Sequence, residues 1–450
     1  MTPCPAAGGP RQTAGNAGSF GAGEGAGAGE GEGEAQGCPA DGPLVLDPLV
    51  RDLAGEGARL RDAGPLAQVE LPGGVPVWAV TRHAEARKLL TEPRLVKDIS
   101  TWGAWQRGEI PRTWSMIGLA DPGPSMLTFD GAEHRRLRTL AAQALTPRRV
   151  ESMRPRIEAV TGQLLEELAQ TAATAGSQGH VDLKADFAYR LPMNVVSELM
   201  GIDSADHPRL QRLYDGFFSS VTPPEQVQAV IEELFALFGG VIEGKKHSPG
   251  DDLTSALLQA SENGDRLSEE EVLATLQVMI AAGHETTISL IVNAVVALLT
   301  HPDQFAKVRS GEASWDGVIE ETLRWNAPTT HVLIRFATED VPVGERVIGR
   351  GEALIIAYGA IGRDEAQHGP TAGEFDVTRS PNRHLSFGHG PHVCPGAPLS
   401  RLEARIALPA LFDRFPDLSL TVPAHELRNK PAVTQNELYE LPVRLGSSGS

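Results

Sequence analysis

Hydrophobic and polar residues alternate with a period of two in two parts of the chain, and each part predicts β-structure. Residues 66–81 (LAQVELPGGVPVWAVT) alternate on both sides of a Pro-Gly-Gly turn, which predicts a β-hairpin. Residues 330–361 alternate in the same way and turn at Gly344 and Gly351. The pattern therefore predicts one hairpin near the start of the chain and a small sheet late in it.

Elsewhere the apolar residues recur every three or four positions, which indicates helices. Helices are predicted for residues 43–64, for 82–92, for 132–145 and, with breaks at prolines, on to about residue 260. Residues 94–128 carry glycine, proline and three tryptophans without a sustained period, and a long irregular segment of this kind is often functional. The predicted fold class is mainly α with small β-sheets.

The longest apolar stretch covers residues 268–300. Ser268 and Glu271 form a capping-box pattern, and His301-Pro302 ends the helix. Such a helix is roughly 50 Å long, and it must be buried in a large protein or span a membrane. Because polar residues such as Glu285 and Asn293 interrupt it and no flanking charge bias is present, we expect burial.

Composition and charge narrow the class of protein further. Nothing in the middle of the 450 residues resembles a linker, so we expect one domain over residues 43–445. Residues 1–42, rich in Gly, Ala and Glu, and the short tail 446–450 are predicted to be disordered and have no signal-peptide pattern. The net charge of −18 disfavours nucleic acid and anionic membranes as partners.

Three cysteines do not make a disulfide framework, because Cys4 and Cys38 lie in the predicted tail. We therefore expect a cytoplasmic protein. A monomer is the simplest expectation for its oligomeric state.

The third cysteine, Cys394, lies on a glycine-rich loop that leads into a helix (FGHGPHVCPGAPLSRLEAR, residues 387–405). Pro395 suits the first helical position, which predicts Cys394 as the N-cap residue. The helix amides would then lower the pKa of the thiol and hold it as a thiolate, which can be a nucleophile or a metal ligand. Glycines around it let the backbone approach a flat or bulky group.

This segment, FGHGPHVCPGAPLSRLE, resembles the haem-binding signature of the cytochrome P450 family. The resemblance implies the cytochrome P450 fold, with haem b held between the long helix and the cysteine loop. It further implies that Cys394 is the axial thiolate on iron, that Phe387 packs by the sulfur, with Gly388 and Gly396 beside it, and that His392 lies near a haem propionate. The alternative is a buried structural cysteine at a helix start.

Residues 281–287 (AAGHETT) lie in the middle of the long helix. A glycine there costs about 1 kcal/mol against alanine, and a buried Glu285 needs a partner or a wet groove. By the resemblance this stretch crosses the haem at Ala282 and Gly283, and Glu285 and Thr286 are the acid and alcohol that deliver protons to iron-bound dioxygen. The alternative is that the Thr286 hydroxyl bonds to the backbone and relieves a bend.

Other charged residues match the family as well. Glu321 and Arg324 match its E-x-x-R, which implies a buried ion pair completed by either Arg379 or Arg383; the alternative is a solvated helix pair of small worth. Arg335 lies in an apolar strand, where a lone cation is costly. The resemblance makes Arg335, His134 and Arg138 propionate partners; a solvated helix face is the alternative for the last two.

The resemblance also indicates a substrate pocket of apolar and hydroxyl groups, between residues 100–120 and 214–221. Its further predicted members are Ala281, Ala282, Thr329, Thr330, Val332, Leu333, Thr434 and Gln435. A hydrophobic substrate follows as a hypothesis: a steroid, a macrolide or another secondary metabolite, as for the actinomycete enzymes that the chain resembles.

The implied reaction is the insertion of one oxygen atom from dioxygen into a C–H bond. The chain has no dinucleotide-binding glycine motif after a strand and no iron–sulfur cysteine set, so the electrons must come from elsewhere. The resemblance implies a separate ferredoxin and its reductase. A basic patch with Arg135, Arg136 and Arg138 is the expected docking site. Three alternatives stay open: a peroxide-dependent haem enzyme of the same fold, a non-catalytic haem-binding sensor, and, more distantly, a cysteine hydrolase without colour.

Overall fold

A buried helix of 32 residues, Glu269–Thr300, packs against helices on several sides. Its capping box is formed: the Glu271 N–H donates to Ser268 Oγ (3.2 Å) and the Ser268 N–H donates to Glu271 Oε2 (2.8 Å). Its length and hydropathy would allow it to cross a membrane, but 72% of its most apolar window is buried inside the protein. It is therefore a core helix, as the polar interruptions predict.

The structure is a computed structural model that describes residues 42–142, 145–174, 180–259, 261–262 and 265–446. The predicted tails, apart from residues 42 and 446, lie outside the described residues, as do Cys4 and Cys38. The described residues pack as one unit. Their helices are α1 (Leu53–Asp62), α2 (His83–Leu89), α3 (Gly103–Gln106), α4 (Ile117–Ala120), α5 (Gly131–Ala142), α6 (Pro147–Ser152), α7 (Arg154–Thr174), α8 (Arg190–Met200), α9 (His207–Phe218), α10 (Pro224–His247), α11 (Leu253–Gln259), α12 (Glu269–Thr300), α13 (Pro302–Arg309), α14 (Trp315–Trp325), α15 (Tyr358–Ile361), α16 (Glu365–His368) and α17 (Ala397–Arg414).

The strands are short and form small sheets, as expected. They are β1 (Leu44–Val45), β2 (Leu66–Leu71), β3 (Val75–Val80), β4 (Leu95–Val96), β5 (His180–Asp182), β6 (Ser261–Glu262), β7 (Asp265–Arg266), β8 (His331–Ala337), β9 (Val341–Val343), β10 (Arg346–Ile348), β11 (Ala353–Ala357), β12 (Ser419–Leu420) and β13 (Pro442–Arg444). The largest sheet has the order β1-β2-β3-β11-β8-β4. The β2–β3 hairpin is the predicted one, with Leu71 opposite Val75. The β9–β10 hairpin turns at Gly344, which has the positive φ that such a turn needs.

Two predicted segments differ in detail. The first helix begins at Leu53 rather than near residue 43, because Asp52 caps it by accepting from the Gly55 N–H, and β1 precedes it. The segment 94–128 is not wholly irregular: it contains β4, a 3-10 turn (Ile99–Thr101), α3 and α4. These pieces are too short to show a period in the sequence.

A buried ion pair fixes α14 to the chain segment that leads to Cys394. Arg324 donates to both carboxylate oxygens of Glu321 (2.8 and 2.6 Å) and, through Nη1, to the carbonyl oxygens of Gly362 and Ala372. Glu321 also accepts from Arg379 Nε at 3.2 Å. The third partner of this pair is thus Arg379 rather than Arg383, and the alternative of a solvated helix pair is wrong, because both side chains are at most 1% exposed.

We expect Arg324→Met to lower the free energy of unfolding by about 3–5 kcal/mol, because it leaves the Glu321 carboxylate buried with fewer partners. The control is Arg156→Met, which removes an ion pair with Glu198 whose two side chains are about half exposed, and should cost at most about 1 kcal/mol. Urea unfolding followed by circular dichroism measures both. Equal losses in the two variants would contradict a special role for the buried pair.

Candidate active site around Cys394

The loop before α17 brings a single thiol to the wall of an internal cavity. Gly388 and Gly390 have φ of 75° and 76°, and a Cβ on Gly390 would lie 2.6 Å from Thr91 Cγ2, so both positions need glycine. The Cys394 N–H donates to the Phe387 carbonyl oxygen at 2.8 Å and closes the loop. Cys394 is the only cysteine among the described residues, and it is not in a disulfide.

Cys394 is not the N-cap residue, contrary to the prediction. The helix begins at Ala397 with Gly396 as its N-cap, and the proline in its first turn is Pro398 rather than Pro395. Both prolines suit a first helical turn, and the sequence alone does not choose between them. Pro395 and Gly396 instead form a turn that carries the chain from the thiol into α17.

The electrostatics of the sulfur also differ from the prediction. Burial raises the pKa of Cys394, although hydrogen bonds from the backbone N–H groups of Gly396 and Ala397 and the charges of Arg138 and Arg401 act in the opposite direction. The two backbone donors are as expected, because Pro395 has no N–H to offer. Burial outweighs them, so a thiolate at this site requires a positive charge in the cavity.

The cavity lies between the Cys394 loop and the middle of α12. The predicted residues that line it are Ala281, Ala282, Gly283, Thr286, Thr329, Phe387, Gly388, His392, Cys394, Gly396, Thr434, Gln435 and Arg138. Thr330 does not line it, because its buried hydroxyl donates to the Val433 carbonyl oxygen. The side chains of Val332 and Leu333 are outside the described part of the chain.

Sequence reasoning missed most of the apolar wall. The further lining residues include Gly118, Leu119, Met126, Leu127, Val196, Leu199, Met200, Phe217, Phe218, Leu323, Tyr358 and Leu399, together with the polar Gln277. Of these, only Gly118, Leu119, Phe217 and Phe218 lie in the ranges that were expected to contribute. The others have the spacing of ordinary core residues, so no signal distinguishes them in the sequence.

Two buried cations outside the cavity lining, Arg335 and Lys97, have no carboxylate ion pair among the described residues. Arg335 is 5% exposed and donates only a long hydrogen bond, 3.4 Å, to the Leu95 carbonyl oxygen among the described residues. Lys97 Nζ donates to the Ile334 carbonyl oxygen at 2.8 Å, and burial, with the charge of Arg335, lowers its pKa well below the usual range. Buried charges that lack a counterion are costly, which indicates that an anionic group belongs here.

Two histidines complete the set of donors. The rings of His134 and His392 are 4.2 Å apart, and His134 Nε2 is buried without a hydrogen-bond partner. Burial and the charges of His392 and Arg138 lower the pKa of His134 to about 4. His392 Nε2 lies 3.0 Å from Asp130 Oδ1. Unpartnered donors beside a thiol fit a metal macrocycle that carries carboxylates. His134 and Arg335 lie behind the cavity wall, whereas Arg138 and His392 are part of it.

The predicted acid and alcohol do not contact each other. The Thr286 hydroxyl faces the cavity and donates to the Ala282 carbonyl oxygen at 2.8 Å. This bond to the backbone is the one that the alternative interpretation of the sequence predicts. Glu285 is buried outside the cavity lining, with Oε1 3.1 Å from His284 Nε2. The neighbouring Thr287 donates to Ser400 Oγ at 3.0 Å and connects α12 to α17.

The predicted basic patch is smaller than expected. Arg136 is bonded to Glu271 at the start of α12 and to Glu133, so its charge is already compensated. Arg138 is partly buried and donates to the Val393 carbonyl oxygen. Of the three, only Arg135 is exposed, and the other two are partly buried.

Comparison with known proteins places these observations in one family. The sequence model of the family described as "Cytochrome P450" matches residues 224–311 and 315–441. The 2-hydroxy-5-methyl-1-naphthoate 7-hydroxylase of Streptomyces carzinostaticus is 40% identical over 90% of this chain and 97% of its own length. The structure of CYP154C4 from Streptomyces sp. W2061 is 66% identical, with a TM-score of 0.88 over 91% of this chain and 99% of that one. The testosterone-bound CYP154C4 from Streptomyces sp. ATCC 11861 is 65% identical, with a TM-score of 0.88 over 91% of this chain and 100% of that one.

We expect Gly118→Ala to disturb the cavity, because a Cβ there would lie 2.5 Å from Phe217 Cε2. The ring must move, and overpacking of this kind costs about 1–3 kcal/mol. The control is Gly162→Ala in α7, where the Cβ meets nothing within 4 Å and stability should rise by up to about 1 kcal/mol. Thermal unfolding and ligand affinity are measured for both. If Gly118→Ala behaves like the control, Phe217 does not close the cavity.

Proposed function

The chain belongs to the cytochrome P450 family, whose members are haem-thiolate monooxygenases, and on this premise we propose that Cys394 binds the iron of haem b and that the substrate is a steroid-like molecule with separated polar groups. The observation that supports the first part is the combination of one buried thiol in the cavity wall with the buried Arg335 and His134 behind it, which lack carboxylate partners among the described residues. The second part is supported by polar atoms without partners in an otherwise apolar wall.

The residues present fit the cofactor. When bound, the haem activates dioxygen and supplies the oxygen atom that enters the C–H bond. Arg335, Arg138, His134 and His392 would bind its two carboxylates, which would give Arg335 and His134 the partners that they lack among the described residues. The guanidinium groups suit this task because their paired N–H groups match a carboxylate.

The chain controls the charge on the Cys394 sulfur in two ways. The positive charge that burial of the thiolate requires would come from the bound iron, and the backbone N–H groups of Gly396 and Ala397 stabilise the anion. The Phe387 ring at the start of the loop is partly buried and has the Arg401 guanidinium 4.5 Å from its centre. Because the sulfur is buried away from water, its negative charge would be stabilised by the iron rather than by solvent.

We assign the supply of protons to residues of α12. Thr286 Oγ1 faces the cavity, and its hydrogen bond to the Ala282 carbonyl oxygen holds the hydroxyl in place. We propose that this hydroxyl gives up that bond to donate to the reacting oxygen, and that Glu285 is the acid that replaces the proton. The wall around Thr286 is largely apolar, so few waters compete for this role.

Three cavity residues carry buried polar atoms without hydrogen-bond partners: Gln277 Oε1, Thr434 Oγ1 and Gln435 Oε1. A buried polar atom of this kind costs about 1–3 kcal/mol, and a ligand that bonds to it removes the cost. Gln277 lies on α12, and Thr434 and Gln435 lie on the C-terminal loop, so the substrate must present polar groups to two different elements. A steroid with a hydroxyl group at each end meets this requirement, because the two amide oxygens accept hydrogen bonds. The similar CYP154C4 structure from Streptomyces sp. ATCC 11861 is described as testosterone-bound.

We further propose a cytoplasmic monomer that receives electrons from a ferredoxin and its reductase. An iron–sulfur cluster takes four ligands, commonly cysteines, and the chain has three cysteines in all, of which Cys394 is assigned to haem. The docking site would include Arg135 and the surface next to the Cys394 loop.

The first test is Cys394→Ser, with Cys38→Ser as the matched control. We expect the variant to lose the red-shifted carbon monoxide band of the reduced protein that reports thiolate ligation, and the control to keep it. Difference spectra of the two reduced proteins measure this. An unchanged band in Cys394→Ser would refute the assigned ligand.

The second test is Gln277→Leu and Gln435→Leu, each titrated with a steroid diol and with the analogue that lacks one oxygen. Loss of one hydrogen bond should weaken binding of the diol about 3- to 10-fold, which corresponds to about 0.5–1.5 kcal/mol. Each variant should leave unchanged the affinity for the analogue that lacks the oxygen bound by the substituted glutamine, because that hydrogen bond is already absent. Spectral titration of the haem measures the affinities. Equal losses for diol and analogues would show that neither amide bonds to the steroid oxygens.

A further inference from the structure

A polar hollow of about 290 Å³ lies behind one wall of the substrate cavity. We call it the Arg363 hollow. Its polar and aromatic lining includes Arg363, His331, Asn293, Asn436, Glu56 and Trp325. They come from α1, α12, α14, β8, the turn after α15 and the C-terminal loop, so only the folded chain brings them together. The proposed oxygenation reaction uses none of them.

The hollow is separate from the substrate cavity, although the two share a wall. This wall consists of the residues before β8 and the C-terminal loop, which are joined by a β-bridge between Thr329 and Gln435 and by a hydrogen bond of 3.1 Å from the Thr330 N–H to the Thr434 carbonyl oxygen. Thr329 and Gln435 line the cavity, whereas Thr330 and Asn436 line the hollow. Neighbouring residues of an extended segment face opposite sides, so the two spaces lie on opposite faces of one wall.

One cation of the hollow has no counterion. The Arg363 Nε donates to the Trp325 carbonyl oxygen at 3.0 Å, and its guanidinium carbon lies 4.5 Å from the centre of the Trp325 ring. Among the described residues it makes no ion pair. Burial and the charges of Arg324 and Arg61 lower the pKa of Arg363 to about 10. A planar guanidinium whose terminal N–H groups are unused suits the binding of a carboxylate.

His331 presents a buried acceptor. Its side chain is 4% exposed, and its Nε2 lies 2.9 Å from Glu56 Oε1. Because a carboxylate can only accept, Nε2 carries the hydrogen of the neutral ring, and Nδ1 is an acceptor. Nδ1 is buried without a hydrogen-bond partner, whereas Glu56 Oε2 accepts from the Asp47 N–H at 2.9 Å. A ligand that donates to Nδ1 would remove the free-energy cost of this unpaired atom.

Two asparagines add further acceptors. Asn293 Nδ2 donates to the carbonyl oxygens of Asn326 (3.2 Å) and Asn436 (3.3 Å), and Asn436 Nδ2 donates to Asn326 Oδ1 at 2.8 Å. The amide nitrogens are therefore fixed by the chain. The amide oxygens of Asn293 and Asn436 accept no hydrogen bond within the part of the chain that the structure describes, so they remain for a donor from outside it.

We propose that the Arg363 hollow binds a small hydroxycarboxylic acid, whose carboxylate pairs with Arg363 and whose hydroxyl groups donate to His331 Nδ1 and to the amide oxygens of Asn293 and Asn436. The volume equals that of roughly ten water molecules at about 30 Å³ each, so the ligand is a small one. This site lies outside the substrate cavity and does not depend on the proposed reaction.

The test uses gluconate as the probe, because it carries one carboxylate and a hydroxyl group on every other carbon. Two comparison compounds each lack one feature: sorbitol has no carboxylate, and hexanoate has no hydroxyl groups. Isothermal titration calorimetry of the ferric, haem-containing protein measures the three affinities. We expect gluconate to bind at least about tenfold more tightly than either, since each compound forfeits one set of hydrogen bonds. The haem absorption spectrum should not change on gluconate binding.

A variant that fills the hollow leaves its polar groups intact. Gly359 lines the hollow, and a Cβ there meets nothing within 4 Å, so Gly359→Leu should abolish gluconate binding. The matched control is Gly239→Leu in α10, where a Cβ also meets nothing within 4 Å but the residue lies outside the hollow, and it should bind gluconate as the wild type does. Arg363→Gln should weaken gluconate binding about tenfold or more and leave the affinity for sorbitol unchanged.

Three results would overturn the proposal. The first is equal affinity for gluconate, sorbitol and hexanoate, which would mean that neither the cation nor the acceptors select the ligand. The second is undiminished gluconate binding in Gly359→Leu. The third is a change of the haem absorption spectrum on gluconate binding, which would place the probe in the substrate cavity.

Discussion

The interior of this protein contains positive charge and a thiol that the chain alone does not neutralise. Arg335 and Lys97 are buried without carboxylate partners among the described residues, and burial raises the pKa of Cys394. Each of these features costs free energy in the chain by itself. A cation that binds the sulfur and an anion that binds the arginine and the lysine would remove all three costs together, and one haem group carries both.

The fold holds these groups in place with contacts that are satisfied within the chain. Arg324 uses its donors on Glu321 and on carbonyl oxygens of the segment that leads to the Cys394 loop, and Arg379 adds a further contact. The buried Arg324–Glu321 ion pair is neutralised within the chain, whereas Arg335 and Lys97 are buried without a carboxylate partner among the described residues. The first gives a rigid frame without a ligand, and the second makes the frame depend on the ligand for part of its stability.

The sequence predicts the elements with strong periodicity and the residues of short motifs. It finds the α12 helix with its cap, the β2–β3 hairpin and the loop of Cys394, because local residues determine each of them. It does not find Met126 or Leu399 in the cavity, since their spacing is that of any core residue. It misplaces the start of α17, because two prolines compete for one position. The sequence does not show whether Arg379 or Arg383 contacts Glu321, because only the tertiary structure distinguishes them.

Helical geometry explains why the acid and the alcohol of α12 act on different surroundings. Consecutive residues of a helix are about 100° apart around its axis, whereas residues four apart lie on one face. Ala282 and Thr286 therefore both face the cavity, whereas Glu285 lies outside its lining, with Oε1 3.1 Å from His284 Nε2. A proton held by Glu285 is thus kept apart from the apolar space of the substrate. The helix itself therefore separates a buried, charged side from the largely apolar side that lines the cavity.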